Sequence, residues 1–136
     1  MPLTVLLCVL FFASGVSGLV YEVVWSRMLT LTFGDTTVAV STVLAAFMTG
    51  LALGGWLAGR RIDTHRNALR VYAQLEVGIG LAVVVSLLAW FGMQPLYVWL
   101  YRHLHTAPAV FGLVRFLLGF LVLLPPTTLM GATLPV

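Results

Sequence analysis

The chain has 136 residues, of which 61% are hydrophobic and 8% are charged, and its mean hydropathy is +1.09. Soluble domains carry about 25% charged residues, and a chain of this length exposes roughly a third of its unfolded surface, so a soluble fold would lack the polar residues to coat it. The net charge of +3 comes from arginine alone and does not indicate nucleic-acid binding, and the single cysteine excludes an internal disulfide.

The first apolar run, residues 3–24, predicts a transmembrane helix. At 1.5 Å per residue it spans roughly 30 Å, which is the thickness of the hydrocarbon core of a bilayer. No basic segment precedes it, and the run continues past its small residues, which favours a retained helix over a cleaved signal peptide. Residues 25–35 predict a short amphipathic connection that ends in the turn sequence Phe33-Gly34-Asp35.

The second run, residues 36–59, predicts the second span and is rich in small residues. It holds two consecutive pairs at a spacing of four, Gly50 with Gly54 and Gly55 with Gly59. Because lipid gives helices no hydrophobic reason to associate, glycines that let backbones approach closely indicate a face packed on a neighbouring helix. A moving interface in a transporter and static packing both fit this pattern, and static packing is the commoner of the two.

An arginine-rich stretch follows the second run. It contains four of the seven basic residues: Arg60, Arg61, Arg66 and Arg70. Since cationic side chains collect on cytoplasmic loops, we expect this stretch to face the cytoplasm and the flanking spans to cross the bilayer in opposite directions. Both chain termini would then be cytoplasmic. Asp63 lies among the arginines and can accept charge-assisted hydrogen bonds, so these five residues predict a latch between helix ends.

The remainder of the chain predicts two more spans, residues 69–93 and 109–129. Between them, residues 95–105 alternate aromatic and polar side chains after a proline, which indicates a short helix lying in the outer interface. Pro125 and Pro126 should kink or end the fourth span. The predicted fold is therefore all-α: a single polytopic membrane domain over 1–136, with four transmembrane helices plus a short interfacial helix. The apolar end at Leu134-Pro135-Val136 suggests an interrupted sequence.

Three ionisable residues lie inside the predicted spans, where each costs several kcal/mol unless it faces protein or water. Glu22 falls near the outer end of the first span, and Arg115 lies roughly 9 Å into the fourth span from the same side, so we expect an ion pair between them. Glu76 enters from the cytoplasmic side, where the loop arginines are its expected partners. These charges could belong to a substrate or proton pathway, or they could fix helix register, and both interpretations stay open.

No residue pattern indicates catalytic, cofactor or metal chemistry. His103 and His105 project to different helix faces, without a cysteine or carboxylate nearby to complete a metal site. The serines have no histidine near in sequence and no G-x-S-x-G motif is present. The glycines lie inside apolar runs rather than between a strand and a helix, so a phosphate-binding loop is not indicated.

Several ordered segments resemble the membrane domain of the bacterial spermidine-synthase-like proteins, often described as fused transporter-type and spermidine synthase proteins. The segments are FASG at 12–15, LVYEVVWSR at 19–27, FGDT at 33–36, VLAAFMTGLALGG at 43–55 and PTTLMGATLP at 126–135. The resemblance implies a multi-pass module of the bacterial inner membrane, similar in pattern to the first part of a major-facilitator-type bundle. Residues 59–63 resemble the loop motif of that bundle, although Thr64 stands where a basic residue is usual.

The same resemblance implies that full-length relatives carry a soluble aminopropyltransferase-like domain after the membrane module. That domain would bind decarboxylated S-adenosylmethionine through a glycine-rich loop and would use an acidic residue on the polyamine. No position of this chain matches either feature, so transferase activity is expected only from a C-terminal domain that this chain lacks.

Three functional interpretations stay open. The chain is the membrane module of a spermidine synthase-like protein, part of a polyamine or cation transporter, or a non-catalytic structural subunit of a larger membrane complex. Its expected partners are the lipid bilayer and either missing C-terminal helices and domain or another protein, which would pack on the glycine-rich second helix.

Overall fold

The computed structural model describes residues 2–34, 36–61, 67–103 and 108–135. Four helices make up these ranges: α1 (Pro2–Phe33), α2 (Thr36–Arg61), α3 (Ala68–His103) and α4 (Pro108–Ala132). Each one is long and apolar enough to cross a membrane. The prediction of an all-α, polytopic helical membrane protein is confirmed.

Helix α1 extends beyond the predicted span, because residues 25–33 continue the helix instead of forming a connection. Trp25, Leu29 and Phe33 recur every four residues and are buried, so this part of the helix has a packed face. Gly34 ends the helix in the left-handed conformation (φ 72°), and its N–H donates to the carbonyl of Thr30 at 2.9 Å. This is the backbone geometry of a glycine C-cap.

Helix α3 also runs further than its predicted span. The segment expected to form a separate interfacial helix, 95–105, instead continues α3 through Pro95 as far as His103; residues 104 and 105 lie outside the described residues. Tyr97 and Tyr101 pack on Phe111 of α4, with ring centroids 5.2 and 5.5 Å apart. These contacts hold the segment in line with the helix, although Pro95 removes one backbone donor.

Helix α4 does not end at its two prolines but continues to Ala132. Pro126 has no N–H with which to bond the carbonyl of Val122, four residues earlier. The hydroxyl of Ser86 on α3 donates to that same carbonyl at 3.0 Å. A side chain of a neighbouring helix thus replaces the lost backbone donor, which is how membrane helices tolerate internal proline.

The chain divides into two compact units, Met1–Val40 and Ser41–Val136. The first unit contains α1, whose residues up to Val24 are largely exposed apolar side chains, and the first turn of α2. Tyr21 and Trp25 stack with ring centroids 5.7 Å apart. The exposed apolar length of α1 suits contact with lipid.

The second unit contains the rest of α2 together with α3 and α4. Helix α3 runs antiparallel to α4, because Gly78 lies opposite Leu129 and Ser86 opposite Val122. Helix α2 runs parallel to α4, because contacts with α4 advance along both chains: Ala46 and Gly50 meet Thr127, and Gly54 meets Gly131. Successive helices of this unit therefore alternate in direction, as consecutive membrane spans must.

Candidate functional site

Helices α2 and α4 approach each other closely in the second unit. We call this contact the α2–α4 seam and define it by Gly50, Gly54, Thr127, Thr128 and Gly131. A Cβ atom added at Gly50 would overlap the Thr127 side chain, and one added at Gly54 would overlap the carbonyl oxygen of Thr128. A Cβ at Gly131 would lie 2.6 Å from the Cα of Leu51. Only glycine allows the two backbones to approach this closely.

The hydroxyl of Thr127 connects the two helices at the centre of the seam. Thr127 is fully buried, and its Oγ1 lies 2.9 Å from the carbonyl oxygens of Leu123 and Leu124 and 3.3 Å from that of Ala46 on α2. The single hydroxyl proton can bond only one acceptor well at a time, so it is shared between its own helix and α2. The arrangement satisfies a buried hydroxyl and adds a polar link between apolar helices.

The second glycine pair named from the sequence lies differently. A Cβ at Gly55 would stand 3.7 Å from the carbonyl oxygen of Gly131, which is an ordinary contact, and one at Gly59 would meet no described atom within 4 Å. The tight packing therefore involves Gly50 and Gly54, and it fades toward Gly59.

Sequence reasoning missed Ser86 and Thr127, whose hydroxyls each reach a carbonyl of a neighbouring helix. A local signal existed for each of them. Ser86 falls on the stripe of α3 occupied by the buried residues Ile79, Val83 and Trp90, and Thr127 directly follows two prolines that leave carbonyls without backbone donors. What the sequence could not show is which carbonyl each hydroxyl reaches.

Arg115 lies at the opposite end of the unit from the arginine-rich stretch, in a cradle of aromatic rings. Its guanidinium carbon is 4.3 Å from the ring centroid of Phe111 and 5.3 Å from that of Tyr97. The residue is half-buried. A cation over aromatic faces is stabilised by about 0.5–2 kcal/mol, so the α3–α4 contact itself supports this charge.

Glu76 occupies the packed side of α3, half-buried and one turn before Ile79. Its Oε1 atom is buried and receives no hydrogen bond from the residues that the structure describes. Tyr72 lies one turn earlier on the same face and is also half-buried. A carboxylate oxygen in this position raises the free energy of the folded state unless a cation or a proton reaches it.

The two ion-pair predictions stay predictions. Glu22 belongs to the first unit and Arg115 to the second, and their pairing is not tested. Of the expected latch, Asp63 and Arg66 lie outside the described residues.

The other three arginines of the latch, Arg60, Arg61 and Arg70, are exposed. The guanidinium carbon of Arg60 lies 4.1 Å over the ring of Trp56.

Within the four described ranges, no three His, Cys, Asp or Glu side chains come together as potential metal ligands. Comparison of the chain with protein-family models, with curated proteins and with solved structures finds no match. The candidate site is therefore defined by its geometry alone. It consists of the tight seam between α2 and α4, the hydrogen bond from Ser86 of α3 to α4, and two half-buried charged residues, Glu76 of α3 and Arg115 of α4.

Proposed function

We propose that this chain is the integral membrane module of a spermidine synthase-like protein, a member of the polyamine aminopropyltransferase family. In this proposal the transferase chemistry belongs to a domain outside the chain, and the helices anchor and position that domain at the bacterial inner membrane. The supporting observation is that the two longest segments of the resemblance, 43–55 and 126–135, pack on each other in the α2–α4 seam.

The seam supports the proposal because its residues are the ones that make these two segments distinctive. Gly50 and Gly54 come from the first segment, and Thr127, Thr128 and Gly131 come from the second. Segments far apart in sequence that fit each other without room for a methyl group have a shared structural purpose. That purpose is helix packing, which agrees with a scaffold rather than a catalytic role for this part of the protein.

The test uses the gene with its complete open reading frame. Membranes containing the whole product should transfer an aminopropyl group from decarboxylated S-adenosylmethionine to a diamine and release methylthioadenosine, whereas membranes containing residues 1–136 alone should not. An open reading frame without a transferase-like domain would refute the proposal. Membranes that contain the whole folded product and show no transfer would refute it as well.

A polyamine or cation transporter is the second candidate, and Glu76 favours it. A half-buried carboxylate, with one oxygen that receives no hydrogen bond from the described residues, is a feature of cation pathways in membranes. If the protein transports polyamines, proteoliposomes should accumulate labelled spermidine and Glu76→Gln should abolish the uptake. Gln74→Ala, at an exposed position of the same helix, serves as the control. Absence of uptake by the unaltered protein would exclude this candidate.

A further inference from the structure

Three exposed arginines lie at the same level of the second unit. Gly54 lies against Gly131 and Gly78 against Leu129. The positions of Gly54 and Gly78 along the axis of α4 therefore differ by only about 3 Å. Helix α2 is parallel to α4 and α3 is antiparallel to it. The C-terminal end of α2 and the N-terminal end of α3 therefore lie at the same end of the unit.

Arg60 then lies about 9 Å beyond Gly54, and Arg70 about 12 Å beyond Gly78, at the helical rise of 1.5 Å per residue. Arg61 follows Arg60 directly. All three side chains are exposed. We call these three residues the arginine layer.

Trp56 lies one turn before the arginine layer on α2. Its side chain is 54% exposed, and the guanidinium carbon of Arg60 lies over its ring, 4.1 Å from the centroid. A guanidinium has five N–H donors, so a contact with an aromatic ring is compatible with hydrogen bonds to phosphate oxygens. Tryptophan favours the headgroup level of a bilayer, so this pair places the arginine layer beside lipid phosphates.

Few carboxylates oppose this layer. Between residues 36 and 103 the sequence has two, Asp63 and Glu76, whereas the arginine layer alone carries three positive charges. Glu76 is half-buried and lies about 3 Å beyond Gly78, well short of the level of Arg70. The surface at this end therefore carries an excess of positive charge.

We propose that the arginine layer and Trp56 form a binding surface for anionic phospholipids of the leaflet that this end of the protein faces. Guanidinium groups make strong, directional hydrogen bonds to phosphate oxygens. Zwitterionic lipids carry a phosphate whose charge their own amine neutralises, whereas anionic headgroups bring a net negative charge that the layer attracts. The proposal holds whichever of the candidate functions is correct.

Quenching of Trp56 by brominated lipid tests this proposal. The protein is reconstituted into vesicles of equal parts phosphatidylcholine and phosphatidylglycerol, with bromine on one lipid in the first series and on the other in the second. Subtracting the signal of Trp56→Phe isolates the fluorescence of Trp56. We expect the quenching to show roughly a fivefold binding preference for phosphatidylglycerol, the size expected for one arginine at an anionic surface.

Arg60→Gln should lower this preference, because it removes the arginine that lies over Trp56, and raised ionic strength should weaken it. Arg102→Gln is the matched control, because Arg102 is also exposed but lies in the last turn of α3. Equal quenching by the two brominated lipids would overturn the proposal. A preference that Arg60→Gln leaves unchanged, or that Arg102→Gln removes equally, would overturn it too.

Discussion

An alanine at Gly54 would place its Cβ inside the contact with α4, against backbone atoms that cannot rotate away. We therefore expect Gly54→Ala to lower the free energy of unfolding by about 1–3 kcal/mol, the usual cost of overpacking. Gly59→Ala is the matched control, because a methyl group there meets no described atom within 4 Å. Unfolding of each variant in mixed micelles by increasing denaturing detergent measures the difference.

If the two alanine variants unfold at the same detergent fraction, Gly54 does not lie in a tight helix contact. Gly50→Ala gives an independent reading of the seam, since its Cβ would overlap a side chain, that of Thr127, as well as backbone. Rotation about χ1 of Thr127 would move its Oγ1 but not its Cβ or its backbone carbon, so this second variant should lose stability as well.

Ser86 supplies the donor that Pro126 lacks, and this dependence is measurable. We expect Ser86→Ala to destabilise the protein by about 0.6–1.7 kcal/mol, the range found for hydrogen bonds between membrane helices. Ser17→Ala should have almost no effect, because the Ser17 hydroxyl bonds the carbonyl of Ala13 on an exposed stretch of its own helix.

A double-mutant cycle separates this role from simple packing. In Pro126→Ala the new backbone N–H can bond the carbonyl of Val122, so Ser86→Ala should cost less in that background. An equal cost in both backgrounds would show that the serine hydroxyl does not compensate for the proline.

At the scale of whole elements, α3 is the helix that exceeds the thickness of a bilayer core by the largest margin. Its 36 residues extend about 54 Å, well beyond a hydrocarbon core of about 30 Å. Spin labels placed one at a time from residue 88 to residue 103 should report mobility and accessibility with a period of 3.6 residues throughout. A loss of that period at residue 95 would show a separate interfacial segment instead of a continuous helix.

The existence of four helices could be predicted from the sequence because hydropathy reports which residues prefer hydrocarbon. The helix ends could not, since hydrogen bonding continues beyond the apolar boundary: Thr30 and Thr32 look like connection residues, yet their hydroxyls bond carbonyls of the preceding turn. The continuation through Pro126 depends on Ser86, which lies on another helix. Likewise, the spacing of the glycines predicted packing for both pairs. Only the position of α4 shows that Gly54 is tightly packed and that Gly59 is not.

At the scale of the molecule, the directions of α2, α3 and α4 give the relative threading of the second unit. These helix directions are inferred from contacts alone, whereas the orientation of the unit in the membrane is inferred from the positions of the arginines. Arg60 and Arg61 lie in the last turn of α2, and Arg70 lies in the first turn of α3. Arg66 falls between the two helices in the sequence, and arginine resists translocation. We therefore expect the end of the unit that holds the arginine layer to be cytoplasmic.

Labelling of single cysteines in intact cells is the most direct test of this membrane arrangement. In a Cys8→Ala background, a membrane-impermeant maleimide should react with Thr36→Cys from outside the cell, and with Arg70→Cys only after the membrane is permeabilised. Both native residues are exposed, at the start of α2 and in the first turn of α3. Reaction of Arg70→Cys in intact cells, or reaction of both cysteines from the same side, would contradict the arrangement of spans that the account requires.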